Sequence, residues 1–166
     1  VRWVMPKENK IDVSLQTDYR KKGLIWYPTY ICQFEGAYTI ANNEQVAQKV
    51  RIHFDFPNRE GTYDDFAVKL DDQNVAAAID TREGVGEIVE LAPGEQARFH
   101  VAYKTRGIRE WRYAMDPNVG RVQGLKLTVA TNFEQVDYSD GSLSPMSAEE
   151  TDEGMMLAWE AEDLIT

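Results

Sequence analysis

Few side chains in this sequence have the types and spacings that catalysis needs. The two histidines, His53 and His100, each occupy a polar position in an alternating segment. If those segments paired as strands, His53, His100 and Asp55 would supply three ligands for a metal such as zinc. Cys32 is the single cysteine and lies in an apolar run, where a thiol is usually an inert part of the core. We therefore predict ordinary exposed histidines, an inert Cys32 and no catalytic residue.

Carboxylates are abundant, with 28 aspartate and glutamate residues in the chain. A pair at glycosidase spacing would make the chain a hydrolase with an acidic site, but among so many acids no pair is informative without geometry. Oxygen-rich loops also suit calcium, and carboxylates are dense from residue 137 to residue 152, at spacings that do not match an EF-hand. Apart from this candidate calcium site we predict no cofactor. Its residues are Asp137, Asp140, Glu149, Glu150 and Asp152.

Two aromatic stretches are candidate ligand-binding surfaces. The stretch GLIWYPTYICQF, residues 23–34, hardly alternates between apolar and polar residues, and the stretch KTRGIREWRY, residues 104–113, places basic residues around aromatic ones. Aromatic rings dominate sandwich cores, so core packing is the preferred interpretation. The alternative is an exposed platform that stacks on sugars or on a protein partner. The candidate ligand-binding residues are Trp26, Tyr27, Tyr30, Trp111 and Tyr113.

The charge of the chain is unevenly distributed. The net charge is −10, and residues 127–166 contain no lysine or arginine. Proteins that bind nucleic acid place basic residues against phosphates, so we expect no nucleic-acid partner. The basic residues of the second aromatic stretch are expected to lie over aromatic rings or to pair with the acidic tail, and the alternative is contact with anionic lipid head groups. These residues are Lys104, Arg106, Arg109 and Arg112.

The elements that must position these side chains have the period of β-strands. Apolar and polar residues alternate in VRIHFDF (50–56) and in ARFHVAYK (97–104), and the same period recurs in four further segments. Turn sequences rich in Gly, Pro, Asn and Asp separate the segments by about 8–15 residues. The pattern predicts an all-β, mostly antiparallel β-sandwich, immunoglobulin-like or larger, with roughly ten to twelve strands.

Three details of organisation complete this prediction. We expect a single domain over residues 1–166, in which residues 1–22 form an N-terminal arm or the first strand. The first residue is Val1 and not Met, so we expect a processed protein or a fragment of a longer chain. Pro28 cannot donate a ladder hydrogen bond, so it predicts an edge, a bulge or a change of sheet, with a bend nearby. One short helical turn is expected near residues 147–152.

The middle of the chain resembles a known class of domain. The segment YTIANNEQVAQKVRIHFDFP reads as a strand, a polar turn and a second strand, and VELAPGEQARFHVAYKTRG places a Pro-Gly-Glu turn before an alternating strand. This order of strands and turns resembles that of the immunoglobulin-like sandwiches of bacterial envelope proteins. The C-terminal segment, residues 131–166, resembles the end of the extracytoplasmic domain of polytopic bacterial membrane proteins. The resemblance implies a non-catalytic binding or structural domain on the extracytoplasmic side. The alternatives are a carbohydrate-binding module that uses exposed aromatic residues and a hydrolase with an acidic site.

Overall fold

The structure is a computed structural model that describes residues 2–75, 80–108, 110–115 and 120–165. Within these ranges the chain forms strands and no helix, which confirms the all-β prediction. The described residues contain no helix able to cross a membrane. The strands are β1 (Arg2–Trp3), β2 (Glu8–Lys22), β3 (Ile25–Ala41), β4 (Gln48–Phe54), β5 (Tyr63–Leu70), β6 (Gln73–Asn74), β7 (Val85–Leu91), β8 (Gln96–Gly107), β9 (Arg121–Thr131), β10 (Ser147–Glu150) and β11 (Met155–Ile165).

The alternation in the sequence explains why these segments are strands. Successive side chains of a strand point to opposite faces, so every second residue can be buried. In β4 the side chains of Val50, Ile52 and Phe54 are buried, whereas Arg51 and His53 between them are exposed. Strand β8 shows the same pattern, with alternate residues from Ala97 to Tyr103 in the core.

The strands form two sheets. The larger sheet has the order β10-β11-β9-β2-β3-β8-β5-β6, and the smaller one has the order β1-β4-β7. Most neighbouring strands are antiparallel; the exceptions are β2 beside β9 and β1 beside β4, which are parallel. The mostly antiparallel sandwich predicted from the sequence is confirmed.

The core lies between the two sheets and is rich in aromatic rings. Phe34 of the larger sheet lies with its ring centroid 5.7 Å from that of Phe54 in the smaller sheet, and 4.7 Å from that of Tyr103 on the neighbouring strand. Tyr38 also approaches Phe54, at 6.4 Å. Burial of each such side chain contributes about 1.5–3 kcal/mol, so these contacts hold the two sheets together.

One buried asparagine connects the sheets at the end of β3. The Asn42 side-chain amide donates to the carbonyls of Val46, Leu91 and Ala92 at 2.9, 2.9 and 3.1 Å. The Pro-Gly-Glu sequence that follows β7 is the turn predicted above: the Glu95 amide donates to the Ala92 carbonyl, and Gly94 has a positive φ of 76°. A type II turn requires such a φ, which glycine adopts freely.

Three local predictions have different outcomes in the structure. The helical turn expected near residues 147–152 was wrong, because Ser147–Glu150 forms β10 and pairs with β11 across the Thr151–Gly154 turn. Pro28 lies inside the continuous strand β3, where β2 is the strand beside it, so the edge predicted from this proline is correct. Residues 8–22 form strand β2 in the middle of the larger sheet rather than an arm.

Candidate functional site

The hairpin of β2 and β3 extends past the strands on either side. Strand β9 accompanies β2 only as far as Leu15, and β8 accompanies β3 only as far as Tyr30. Beyond these points β2 and β3 pair with each other alone, up to the two-residue turn Gly23–Leu24. Gly23 has a φ of 65°, the conformation that hairpin turns with glycine in the first position require. We call residues 19–28 the hairpin tip.

The hairpin tip exposes large apolar side chains on both faces and at its apex. Five of the fourteen large hydrophobic residues that are exposed in the described part of the chain lie within it. Leu24 at the apex is 93% exposed and Trp26 is 61% exposed. Sequence reasoning preferred core packing for Trp26 and Tyr27, and that prediction was wrong. The five are Tyr19, Leu24, Ile25, Trp26 and Tyr27.

Cross-strand pairing assigns these side chains to two faces. Lys21 pairs with Trp26 and Tyr19 pairs with Pro28, so these residues share the face that continues the core side of the sheet. The Lys21 ammonium lies 5.8 Å from the centroid of the Trp26 ring, a cation–π contact. The other face carries Arg20 opposite Tyr27 and Lys22 opposite Ile25. Each face therefore combines apolar and cationic side chains.

An ion-pair network holds the base of the hairpin against β8. The Asp18 carboxylate accepts hydrogen bonds from Arg20 at 2.9 Å and from Arg106 at 2.6 Å. The Arg20 hydrogen bond, supported by the charges of Arg20 and Arg106, lowers the pKa of Asp18 below its ordinary value. Arg106 is thus engaged within the molecule, by Asp18 of β2 and not by the acidic residues of the tail.

Tyr30 connects the hairpin with the segment that follows β8. Its hydroxyl donates to the Glu110 carbonyl, and burial is the main cause that raises its pKa to about 12. A Cβ at Gly107 would overlap the Tyr30 ring, so glycine is required for this close approach. Tyr30 is half-buried and serves as part of the hairpin's support rather than as a free platform.

Trp111 and Tyr113 pack against the core instead of forming an exposed platform. Both are half-buried, and the Tyr113 ring lies 6.2 Å from Phe34 and 6.5 Å from Trp111. The Trp111 indole nitrogen is buried without a hydrogen-bond partner. The structure thus separates the candidate ligand-binding residues into an exposed group on the hairpin tip and a half-buried group on the core.

The other basic candidate residues are Lys104, Arg109 and Arg112. Arg112 pairs with Glu110 at 3.3 Å, and Lys104 is half-buried on β8. Arg109 lies outside the described residues. Of these basic residues, Arg106 and Arg112 are thus each paired with a carboxylate.

The candidate catalytic and metal-binding residues are not brought together. Burial raises the pKa of the Cys32 thiol to about 12, which leaves it protonated and unreactive at neutral pH. The pairing assumed for a histidine metal site was wrong, because His53 lies on β4 in the smaller sheet and His100 on β8 in the larger one. The His53 ring nitrogen Nε2 lies 3.3 Å from a carboxylate oxygen of Asp55, two residues further along the chain.

The acidic candidates for calcium are dispersed. Glu149 and Glu150 are exposed at the end of β10, and the other three occupy turns before and after this strand. Among the residues that the structure describes, no three His, Cys, Asp or Glu side chains are grouped closely enough to hold a metal ion. The structure thus does not bring Asp137, Asp140, Glu149, Glu150 and Asp152 together as ligands.

Sequence reasoning missed part of the exposed surface. Tyr19, Leu24 and Ile25 were not candidate ligand-binding residues, and neither were the basic residues 20–22. The sequence KKGLIW does contain a signal, because two lysines followed by glycine indicate an exposed turn. The apolar residues after such a turn lie at the end of the hairpin and beyond the core.

Comparison with known proteins gives a fold and no family. No family model matches the sequence, and no curated protein matches it with significance. A similar solved structure is that of a candidate nutrient-binding protein from Legionella pneumophila, with a TM-score of 0.57 at 16% identity. The likeness covers 95% of this chain, which spans 65% of the length of that protein. At this identity the comparison shows the fold alone.

Proposed function

We propose that this chain is a non-catalytic binding domain on the extracytoplasmic side of a bacterial cell-envelope membrane protein, and that the hairpin tip is its binding surface. The observation that carries the proposal is the exposure of five large apolar side chains on a hairpin that extends past the core. Exposed apolar patches of this kind mark interaction sites, because leaving them in water is unfavourable.

The surroundings of the candidate catalytic residues support a binding role over an enzymatic one. Cys32 is fully buried with a raised pKa, and the two histidines lie in different sheets. The Legionella pneumophila protein of similar fold is described as a candidate nutrient-binding protein, which is also a binding role. The envelope location rests on the resemblance to extracytoplasmic sandwich domains.

A carbohydrate-binding role is the second candidate, and the placement of Tyr19 favours it. Tyr19 and Trp26 share one face of the hairpin tip as diagonal neighbours, a separation that aromatic side chains can bridge. Tyr27 points to the opposite face and does not belong to this platform. Binding measured on a glycan array should then be lost in Trp26→Ala and Tyr19→Ala and retained in Tyr27→Ala, with folding checked by circular dichroism.

Photo-crosslinking tests the main proposal. A photoreactive phenylalanine analogue is placed at Tyr27 in the full-length protein in its source cells, and at Tyr138 as a matched control, since both tyrosines are exposed. We expect adducts from the Tyr27 position in the envelope fraction and a much lower yield from Tyr138. Equal yields from the two positions would exclude the hairpin tip as the binding surface, and a protein found only in the cytoplasmic fraction would exclude the envelope location.

A further inference from the structure

The hairpin tip differs from the rest of the molecule in its charge. It contains three of the chain's 18 basic residues, Arg20, Lys21 and Lys22, and none of its 28 acidic residues. The rest of the chain therefore has 15 basic and 28 acidic residues. An anionic partner attracts the tip and repels the body, which orients the molecule with its tip toward that partner.

The arrangement of the apolar side chains indicates the physical state of the partner. Trp26 and Tyr19 project from one face, Tyr27 and Ile25 from the other, and Leu24 from the apex. A rigid protein surface would contact only one face of such a ribbon and leave the other in water. A fluid interface surrounds the ribbon and covers both faces together.

Both properties fit the surface of a lipid bilayer. Trp and Tyr concentrate at the membrane–water interface, where their apolar rings and polar groups are both accommodated. Lysine and arginine side chains bury their aliphatic parts and direct their charges to the head groups. We infer that the hairpin tip binds the surface of bilayers that contain anionic lipids, and this inference rests on the proposal that the tip is the binding surface.

The length and the backbone of the hairpin limit how deep it enters. The strand advances five steps from Tyr30 to Ile25, which is about 17 Å at a strand rise of 3.3 Å per residue. The head-group layer on each side of a bilayer is about 5–8 Å thick, so the apex reaches the boundary of the acyl chains. Beyond Leu15 and Tyr30 the outer edges of the hairpin have no strand beside them, and hydrocarbon does not tolerate unpaired backbone groups. The tip therefore lies at the interface and does not span the membrane.

Vesicle flotation tests the electrostatic part of this inference. The 166-residue chain is mixed with vesicles of phosphatidylcholine alone, or of phosphatidylcholine and phosphatidylglycerol at roughly two to one. We expect binding to the anionic vesicles that weakens with salt, and a loss of about 30-fold in the variant Lys21→Gln, Lys22→Gln, which leaves the ion pair of Arg20 with Asp18 in place. The matched control replaces two exposed lysines elsewhere, Lys49→Gln and Lys126→Gln, and should retain binding within about threefold.

A fluorescent label reports insertion without changing the hairpin's fold. Leu24 is almost fully exposed, so Leu24→Cys with an environment-sensitive fluorophore leaves the packing intact, and the buried Cys32 does not compete for the label. We expect a blue shift of the emission on anionic vesicles, and no shift for the same label on Tyr138→Cys.

Each outcome decides the question. Equal binding to neutral and anionic vesicles, equal losses in the two double variants, or an unshifted Leu24→Cys label would overturn the lipid inference. If crosslinking at Tyr27 nevertheless yields adducts with a protein or a glycan, the hairpin tip remains the binding surface and only its lipid partner is excluded. If crosslinking also fails, the proposed function fails with it.

Discussion

At the scale of single residues, Asn42 is the polar side chain on which the packing of the two sheets depends most directly. It is 2% exposed, and its amide satisfies backbone carbonyls at the end of β7, in the sheet opposite its own. Apolar contacts hold the sheets face to face but allow sliding, whereas these hydrogen bonds fix their relative position. Removing the amide leaves buried carbonyls without a donor, which costs more than the hydrogen bonds themselves contribute.

We predict that Asn42→Ala lowers the free energy of unfolding by about 2–3 kcal/mol. Urea denaturation followed by circular dichroism measures this change. The neighbouring Asn43 is exposed, so Asn43→Ala is a matched control with an expected change within about 0.5 kcal/mol. Similar losses in the two variants would show that Asn42 does not hold the sheets together.

At the scale of elements, the hairpin tip depends on its ionic base for its orientation. Asp18 connects Arg20 on the hairpin with Arg106 on β8, and the network is exposed to solvent. Exposed ion pairs contribute little to global stability, but this one joins the hairpin to the sheet just below the tip, where β2 and β3 have no other strand beside them. Its loss should therefore affect the motion of the tip and not the folding of the domain.

We predict that Asp18→Asn increases the mobility of residues 19–28 and leaves the midpoint of global unfolding nearly unchanged. Backbone ¹⁵N relaxation and the rate of trypsin cleavage at Lys21 and Lys22 measure the mobility. Glu35→Gln on the neighbouring strand β3 is the control, because Glu35 is exposed and lies away from the hairpin base. Since the folded-state pKa of Asp18 is lowered, the restraint is present at neutral pH and is lost as the pH falls through that pKa. An unchanged tip in Asp18→Asn would show that the hairpin is rigid without this network.

Sequence patterns predicted the strands well and their exposure poorly. The period of two in residues 50–54 and 97–103 reflects burial on one face, and the structure confirms both strands. The aromatic run at residues 25–30 has the composition of a buried strand, yet Trp26 and Tyr27 lie beyond the reach of the neighbouring strands. Whether residues 25–29 are buried depends on where the neighbouring strand β8 ends. That strand lies about 80 residues away in the sequence, so its end cannot be read from the local pattern. Sequence reasoning therefore identified Trp26 and Tyr27 as candidate ligand-binding residues, but it could not predict that they are exposed.

At the scale of the whole molecule, burial of weak acids in the core makes the fold sensitive to alkali. Burial raises the pKa of Cys32 from 9.0 and of Tyr30 from 10.0, each to about 12, and also raises the pKa of Tyr38 and Tyr103. The unfolded chain loses these protons at lower pH than the folded one. Stability is therefore unaffected below about pH 9 and falls as the pH rises from there to about pH 12.

We predict that the free energy of unfolding is smaller at about pH 11 than at about pH 8 by on the order of 2–4 kcal/mol, from Cys32 and Tyr30. Urea denaturation at the two pH values measures the difference. Tyr103→Phe should reduce the pH dependence because it removes a buried phenol, whereas Tyr19→Phe changes a side chain that is 65% exposed and should not. A stability that is equal at the two pH values would contradict the burial of these groups.

The class of fold was predictable from the sequence, but the division into sheets was not. Alternation identifies a strand and its buried face, and it carries no information about which strand lies beside it. Strands β4 and β8 have nearly the same pattern and were considered as neighbours, but the first belongs to the smaller sheet and the second to the larger. The histidine metal site was lost with that pairing.

The parallel pairing of β2 with β9 determines the order in which this molecule can be assembled during synthesis. Asn9–Leu15 lie beside Leu125–Thr131, which leave the ribosome about 116 residues later. The β2–β3 hairpin is local and can form early, but until β9 is available it keeps an open edge in what becomes the middle of the larger sheet. Contacts of such long range slow folding, and the early hairpin is open to wrong partners during the delay. Strand β2 is thus made well before its neighbour β9 and is completed only after it, and protection of the nascent chain matters most for the β2–β3 hairpin.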